Sequence, residues 1–181
     1  MKRTIIASLA LVAMASTAMA QSKPFQASLT PDIAIYDDMT LIEGLTLSVW
    51  GENPQRSLAI GIVNGTKGDS AGFSWGWLLN YGEDYTGVMW APVNYTTGDV
   101  LGWQCAFVNY NGGTMTGLQT GWVNYANRIK GLQLGFLNFA ENVNEALVQV
   151  GLLNIIRTNQ SWFGEFPNEV APAMVFVNWR F

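Results

Sequence analysis

Few side chains in this sequence could act on a substrate. There is no histidine, so Ser-His and Cys-His nucleophile pairs are absent, along with the commonest transition-metal ligand. Two acidic pairs, Asp37-Asp38 and Glu83-Asp84, have the residue types for two-carboxylate acid–base chemistry. Both read as turn segments, where solvated carboxylates are the simpler account. Asp37, Asp38 and Glu43 could together ligate Ca²⁺, but their spacing matches no EF-hand loop. The single cysteine, Cys105, falls on an apolar strand face and reads as a small hydrophobe. The expectation is a protein without catalytic residues, cofactor or metal.

Recognition is the other chemistry available. The segment 157–169 holds three aromatics, Trp162, Phe163 and Phe166, and exposed aromatics in a loop suggest a contact. It is the candidate surface-recognition loop, unless those rings rest at a lipid interface. Tyr81, Tyr95, Tyr110, Tyr125 and Phe139 recur one strand apart. They suit an interfacial aromatic girdle, with a sugar-binding ladder as the alternative.

The elements that would position these residues come from a repeat. Gly61, Gly76, Ala91, Ala106, Gly121, Gly135 and Gly151 recur at intervals of 14 to 16 residues. Each opens the second half of an alternating apolar run that ends in Asn: Asn64, Asn80, Asn94, Asn109, Asn124, Asn138 or Asn154. A fixed period of this length marks a repeat architecture. Gly, Asn, Asp and Thr segments between the copies read as turns, giving about ten residues of strand and five of turn. The Asn residues then supply hydrogen bonds at strand ends. Two glycines per copy, with many β-branched and aromatic residues, weigh against helix.

Alternate strand residues point to opposite faces. One face carries Phe73, Trp75, Trp77, Trp90, Trp103, Phe107, Trp122, Leu132, Leu134 and Phe136. The other carries Gly, Ser, Ala and the series Gln104, Gln119, Gln133 and Gln149. The strand cores hold no charge. In a soluble β-solenoid the large residues would fill the core and the small face would meet water, yet exposed strands normally carry Lys, Glu and Thr. An outer-membrane barrel places the large face in lipid and the small polar face inward, with strands of about ten residues.

The expected fold is therefore all-β: a small antiparallel outer-membrane β-barrel of about ten strands, with a β-solenoid as the alternative. The strands would run from Leu29–Tyr36, through eight repeat strands, to Val170–Phe181. The terminal Phe181 behind Val175, Val177 and Trp179 resembles the sorting signal of bacterial outer-membrane barrels. The unit Gly131-Leu132-Gln133-Leu134-Gly135-Phe136-Leu137-Asn138, echoed from Gly117 to Asn124, resembles the G-[VL]-Q-[IL]-G-L-[VI]-N surface-repeat proteins of spirochaetes and other bacteria. That resemblance covers about residues 44–155. It implies a secreted or envelope location and supplies no catalytic residue.

Met1-Lys2-Arg3, an apolar run to Thr17 and Ala18-Met19-Ala20 have the form of a secretory signal peptide over residues 1–20, leaving one β domain over 21–181. Of nine basic residues, seven remain after Lys2 and Arg3 are removed, against thirteen acidic ones. That balance, with no basic cluster, argues against nucleic acid. The expected function is an outer-membrane or cell-surface structural or interaction protein. Its partners would be the outer-membrane bilayer and, during biogenesis, the barrel-assembly machinery; its surface ligand is undefined by sequence. The alternatives are a narrow pore or small-molecule transport barrel, and a secreted soluble β-solenoid binding module in the periplasm or outside the cell.

Overall fold

The computed structural model describes residues 22–143 and 145–181; the signal peptide expected over residues 1–20 lies outside them. Among the described residues the chain winds as a parallel β-solenoid of about nine turns. Its strands, in chain order, are β1 Lys23–Thr30, β2 Ile33–Ala34, β3 Ile42–Asn53, β4 Gln55–Thr66, β5 Asp69–Gly82 and β6 Asp84–Trp90. They continue as β7 Val93–Thr96, β8 Val100–Cys105, β9 Val108–Asn142, β10 Leu147–Ile156 and β11 Ala173–Arg180. Successive turns stack in parallel, so Gly72 pairs with Gly87, Gly87 with Gly102 and Gly102 with Gly117. Only the ends are antiparallel, where β2 folds onto β1 and β11 closes the last turn on β10.

This corrects the barrel. An antiparallel neighbour meets its partner in reverse order, so equivalent residues of successive repeats would lie at opposite ends of a pair. A parallel stack in register instead sets like on like. The ten-strand count fails for the same reason, because β9 alone runs through more than two turns without a break. The presumed turn segments are largely strand as well, forming a third run of each turn. The first strand is Lys23–Thr30 rather than Leu29–Tyr36. The C-terminal strand is a cap, not a barrel-closing strand.

The faces also differ from those expected of a solenoid. The small and polar residues point inward and the large ones outward. Gln104, Gln119, Gln133 and Gln149 are fully buried, as are Asn80, Asn94, Asn109, Asn124, Asn138 and Asn154. A turn of about 15 residues encloses too little space for facing columns of Trp and Phe, whereas amides stack at the strand spacing and bond along it. Three of these Gln Nε2 groups donate to the Gln Oε1 of the preceding turn: Gln119 to Gln104 at 2.8 Å, Gln133 to Gln119 at 2.7 Å and Gln149 to Gln133 at 2.7 Å. The same Nε2 atoms also reach across the interior to the carbonyls of Tyr125, Phe139 and Ile155. The Asn column donates the other way, from Asn64 through Asn154, at 2.8–3.2 Å. These Asn side chains line a corner, where Asn109, Asn124 and Asn138 also donate to carbonyls of the next turn. Buried amides are costly unless paired, and these pair with one another.

Each turn is three-sided. One run (Gly117 to Thr120 in one copy) leads through a corner at Gly121-Trp122 into a second run through Tyr125, and a third run closes the triangle. The third run contributes the apolar part of the core: Tyr85, Val100, Met115, Ile129 and Val143, against Met89, Ala126, Ala140, Leu147 and Ile156. It bends into the first run at glycines of positive φ. Gly117, at φ 130°, would place a Cβ 2.1 Å from the Gly102 carbonyl oxygen. No larger residue fits that approach.

Candidate binding surface

The exterior of the first two runs and their shared corner is apolar over most of the solenoid's length. At the corner, Trp77, Trp122, Phe136 and Leu152 are 58–67% exposed. Beside them on the first run stand Trp75, Trp90, Trp103 and Leu134, all exposed. Seven of the eight tryptophans lie open on the surface; Trp179 is half-buried. The rings support one another along the axis: Trp75 stacks on Trp90 with centroids 6.0 Å apart, Phe107 lies 5.1 Å from Trp122, and Trp122 meets Phe136 edge-on at 6.2 Å.

Between the first-run row and the corner row lies a groove of about 710 Å³. Its floor is the small-residue series Gly76, Ala91, Ala106 and Gly121; Trp75, Trp90 and Cys105 form one wall, and Trp77, Phe107 and Trp122 the other. It continues past Gly135 to Leu152 and Phe176. Phe176 holds a left-handed φ of 68° in the cap strand, where the pairing of β10 with β11 slips. A bulky residue there costs about 1–3 kcal/mol, and its exposed ring stands at the end of the groove.

Charge lies on the opposite side. From Asp69 to Arg157 the charged residues are Asp69, Glu83, Asp84, Asp99, Arg128, Lys130, Glu141, Glu145 and Arg157. They belong to the third run and its bends, facing away from the aromatic corner. The carboxylates there have local work: Asp84 Oδ1 accepts the Asp99 N–H and Asp99 Oδ1 the Thr114 N–H, both at 2.6 Å, and Glu83 accepts the Gly68 N–H. The Asp38 carboxylate pairs with the Lys67 ammonium, which holds Asp38 below the usual carboxylate range, while Asp37 accepts the Met39 N–H. Among the described residues no group of three His, Cys, Asp or Glu side chains could hold a metal ion.

The tyrosine series forms a column on the second run, with Tyr95–Tyr110, Tyr110–Tyr125 and Tyr125–Phe139 centroids 5.0, 4.9 and 5.5 Å apart. The faces of Tyr110 and Tyr125 are both taken by neighbouring rings, which leaves no face there for a sugar. Tyr81 departs from the column: its hydroxyl accepts the Trp50 indole N–H and donates to Glu52. Burial raises its pKa to about 12.

Trp162, Phe163 and Phe166 are exposed in the loop between β10 and β11. Phe166 packs near Trp179 at 6.0 Å, and the Trp179 indole donates to the Pro167 carbonyl. The loop is fixed to the cap by the Glu169–Arg180 ion pair, so these aromatics sit at the C-terminal end and do not line the groove. Cys105, read as a small hydrophobe, is a groove-wall residue. Neither the groove nor Phe176 was anticipated from sequence; the signal for the groove was the small-residue series between two columns of large ones. No protein-family model, curated protein or solved structure matches this chain.

Proposed function

We propose that this protein is a secreted β-solenoid binding module, without catalytic activity, that docks onto a lipid surface through its aromatic corner. The observation that carries this reading is the separation of the two sides. The tryptophan-rich corner is uncharged and continuous along the turns, while the third run carries the charges, most of them acidic. Tryptophan is favoured where apolar and aqueous phases meet, because its ring is apolar and its N–H polar. An apolar face of this extent otherwise stands in water without compensation. The acidic side would be repelled by anionic headgroups, so attraction comes from apolar burial and the protein lies in the plane of the surface with its charged edge outward. The leader and the likeness to envelope surface repeats fit the same location.

Flotation with vesicles of neutral phosphatidylcholine tests this. The protein, expressed without residues 1–20, should co-float, and raising the salt should not release it, since screening acts on charge and not on apolar contact. Trp122→Lys and Phe136→Lys should each weaken partitioning about tenfold, the loss of roughly 1.4 kcal/mol. Protein that stays with the soluble fraction at all salt concentrations, or floats only with anionic vesicles at low salt, would overturn the reading.

A further inference from the structure

We infer that the groove along the aromatic corner is a site for a single extended acyl chain of a zwitterionic membrane lipid. The inference rests on the proposed lipid-surface role and gives it a specific ligand.

Three features point to such a chain. First, none of the lining residues is charged, and the side-chain polar atoms are the Thr120 hydroxyl, the Cys105 thiol and the indole N–H groups of Trp75, Trp77, Trp90 and Trp122. The carboxylates lie on the far run, so the groove complements an uncharged linear group and offers nothing to a headgroup anion. Second, the width is one residue. The floor is a single file of Gly and Ala, and the walls are rings already packed against their neighbours along the axis, so the trough cannot collapse sideways. Third, the length suits a chain. The floor from Gly76 to Gly135 takes four strand-to-strand steps, roughly 19 Å at the strand spacing. One leaflet of bilayer hydrocarbon is about 15 Å deep, so a full membrane-lipid chain lies within the trough. The strained backbone at Phe176 accounts for the closed end, because that φ presents the ring beside Leu152 and Phe136.

A second copy of the solenoid fits less well. Its own corner is a ridge of rings several residues wide, broader than a trough floored by one residue.

Cys105 is the only cysteine and lies in the groove wall, so its alkylation by a water-soluble maleimide reports occupancy. The probe is monomeric C16 lysophosphatidylcholine, below its micelle concentration, added to the protein lacking residues 1–20. The rate should fall at least fivefold, saturating at one lipid per chain. Glycerophosphocholine, which has the headgroup without the chain, should give no protection. Thr120→Trp projects from the wall into the trough and should abolish saturable protection while its β circular dichroism and vesicle flotation persist; Phe176→Gly, which relieves the backbone, should weaken lipid binding without lowering stability.

An alkylation rate unchanged by saturating lysolipid overturns the inference, as does protection that survives in the Thr120→Trp protein. Protection by free palmitate but not by lysolipid overturns the assignment to a membrane lipid. A slowing that depends on protein concentration and appears without lipid overturns it in favour of a second copy. Failure of protection with flotation intact removes the groove site alone, whereas failure of both removes the lipid-surface reading too.

Discussion

The interior amides carry the stability of this fold in the way that aliphatic side chains do elsewhere. Gln119 donates to Gln104 and accepts from Gln133, and it also reaches the Tyr125 carbonyl. Gln119→Ala strands a buried acceptor on one turn and a buried donor on the next, besides leaving a void. The expected cost is roughly 2–5 kcal/mol, read from the midpoint of urea denaturation; a loss under about 1 kcal/mol would mean the ladder is not a stabilising element. Two tyrosines give a pH signature. Burial raises the pKa of Tyr81 to about 12 and raises that of Tyr85 as well. Raised phenol pKa values mean that the folded chain holds protons which the unfolded chain releases near pH 10. The stability they contribute is complete below that pH and falls as pH rises through about 12. Tyrosinate absorbance should therefore show the Tyr81 and Tyr85 phenols titrating above the ordinary phenol range, followed by alkaline unfolding. If all the tyrosines titrate together near pH 10 with the β signal intact, the packing around Tyr81 and Tyr85 is not as described.

At the scale of the element, glycine sets the bend from the third run into the first. Gly117→Ala would drive a methyl into the Gly102 carbonyl in a backbone conformation that alanine resists. It should cost more than about 1 kcal/mol. At Gly68, also at positive φ but with open space around it, Gly68→Asn should be close to neutral when both variants are compared by thermal melts. Equal effects at the two sites would separate the cost from close approach. The repeat period and the two-faced alternation were both legible in the sequence; the inward placement of Gln133 was read only as part of the barrel, whereas the solenoid reading put that face in water. The direction of stacking was not legible, because alternation within one strand is identical whether the next strand runs parallel or antiparallel. The information lay one level up, in the recurrence of Asn at the same register position from Asn64 to Asn154. Only a parallel stack lets those side chains touch, so the recurrence identifies the solenoid. The binding groove was harder to read, since it depends on two exterior columns diverging at a corner, and the corner appears only when the turn is closed.

For the whole molecule, stability is a sum over neighbouring turns, so its weakest points are the ends. β11 and the loop fixed by Arg180 and Glu169 cover the open edge of β10. Deleting residues 157–181 should leave β structure but expose a long unpaired edge. The deletion should elute from size exclusion as oligomers or aggregates, and a well-behaved monomer would show that the cap is dispensable.

The two amide columns have a consequence for length. Asn side chains donate toward the C-terminal end and Gln side chains toward the N-terminal end. Each column sums its bond dipoles as it grows, as an α-helix does, but the two sums have opposite sign. Where both run side by side they offset each other, so an added turn does not build charge at the ends. A gene that duplicates one repeat can thus extend the protein without an electrostatic penalty that rises with copy number.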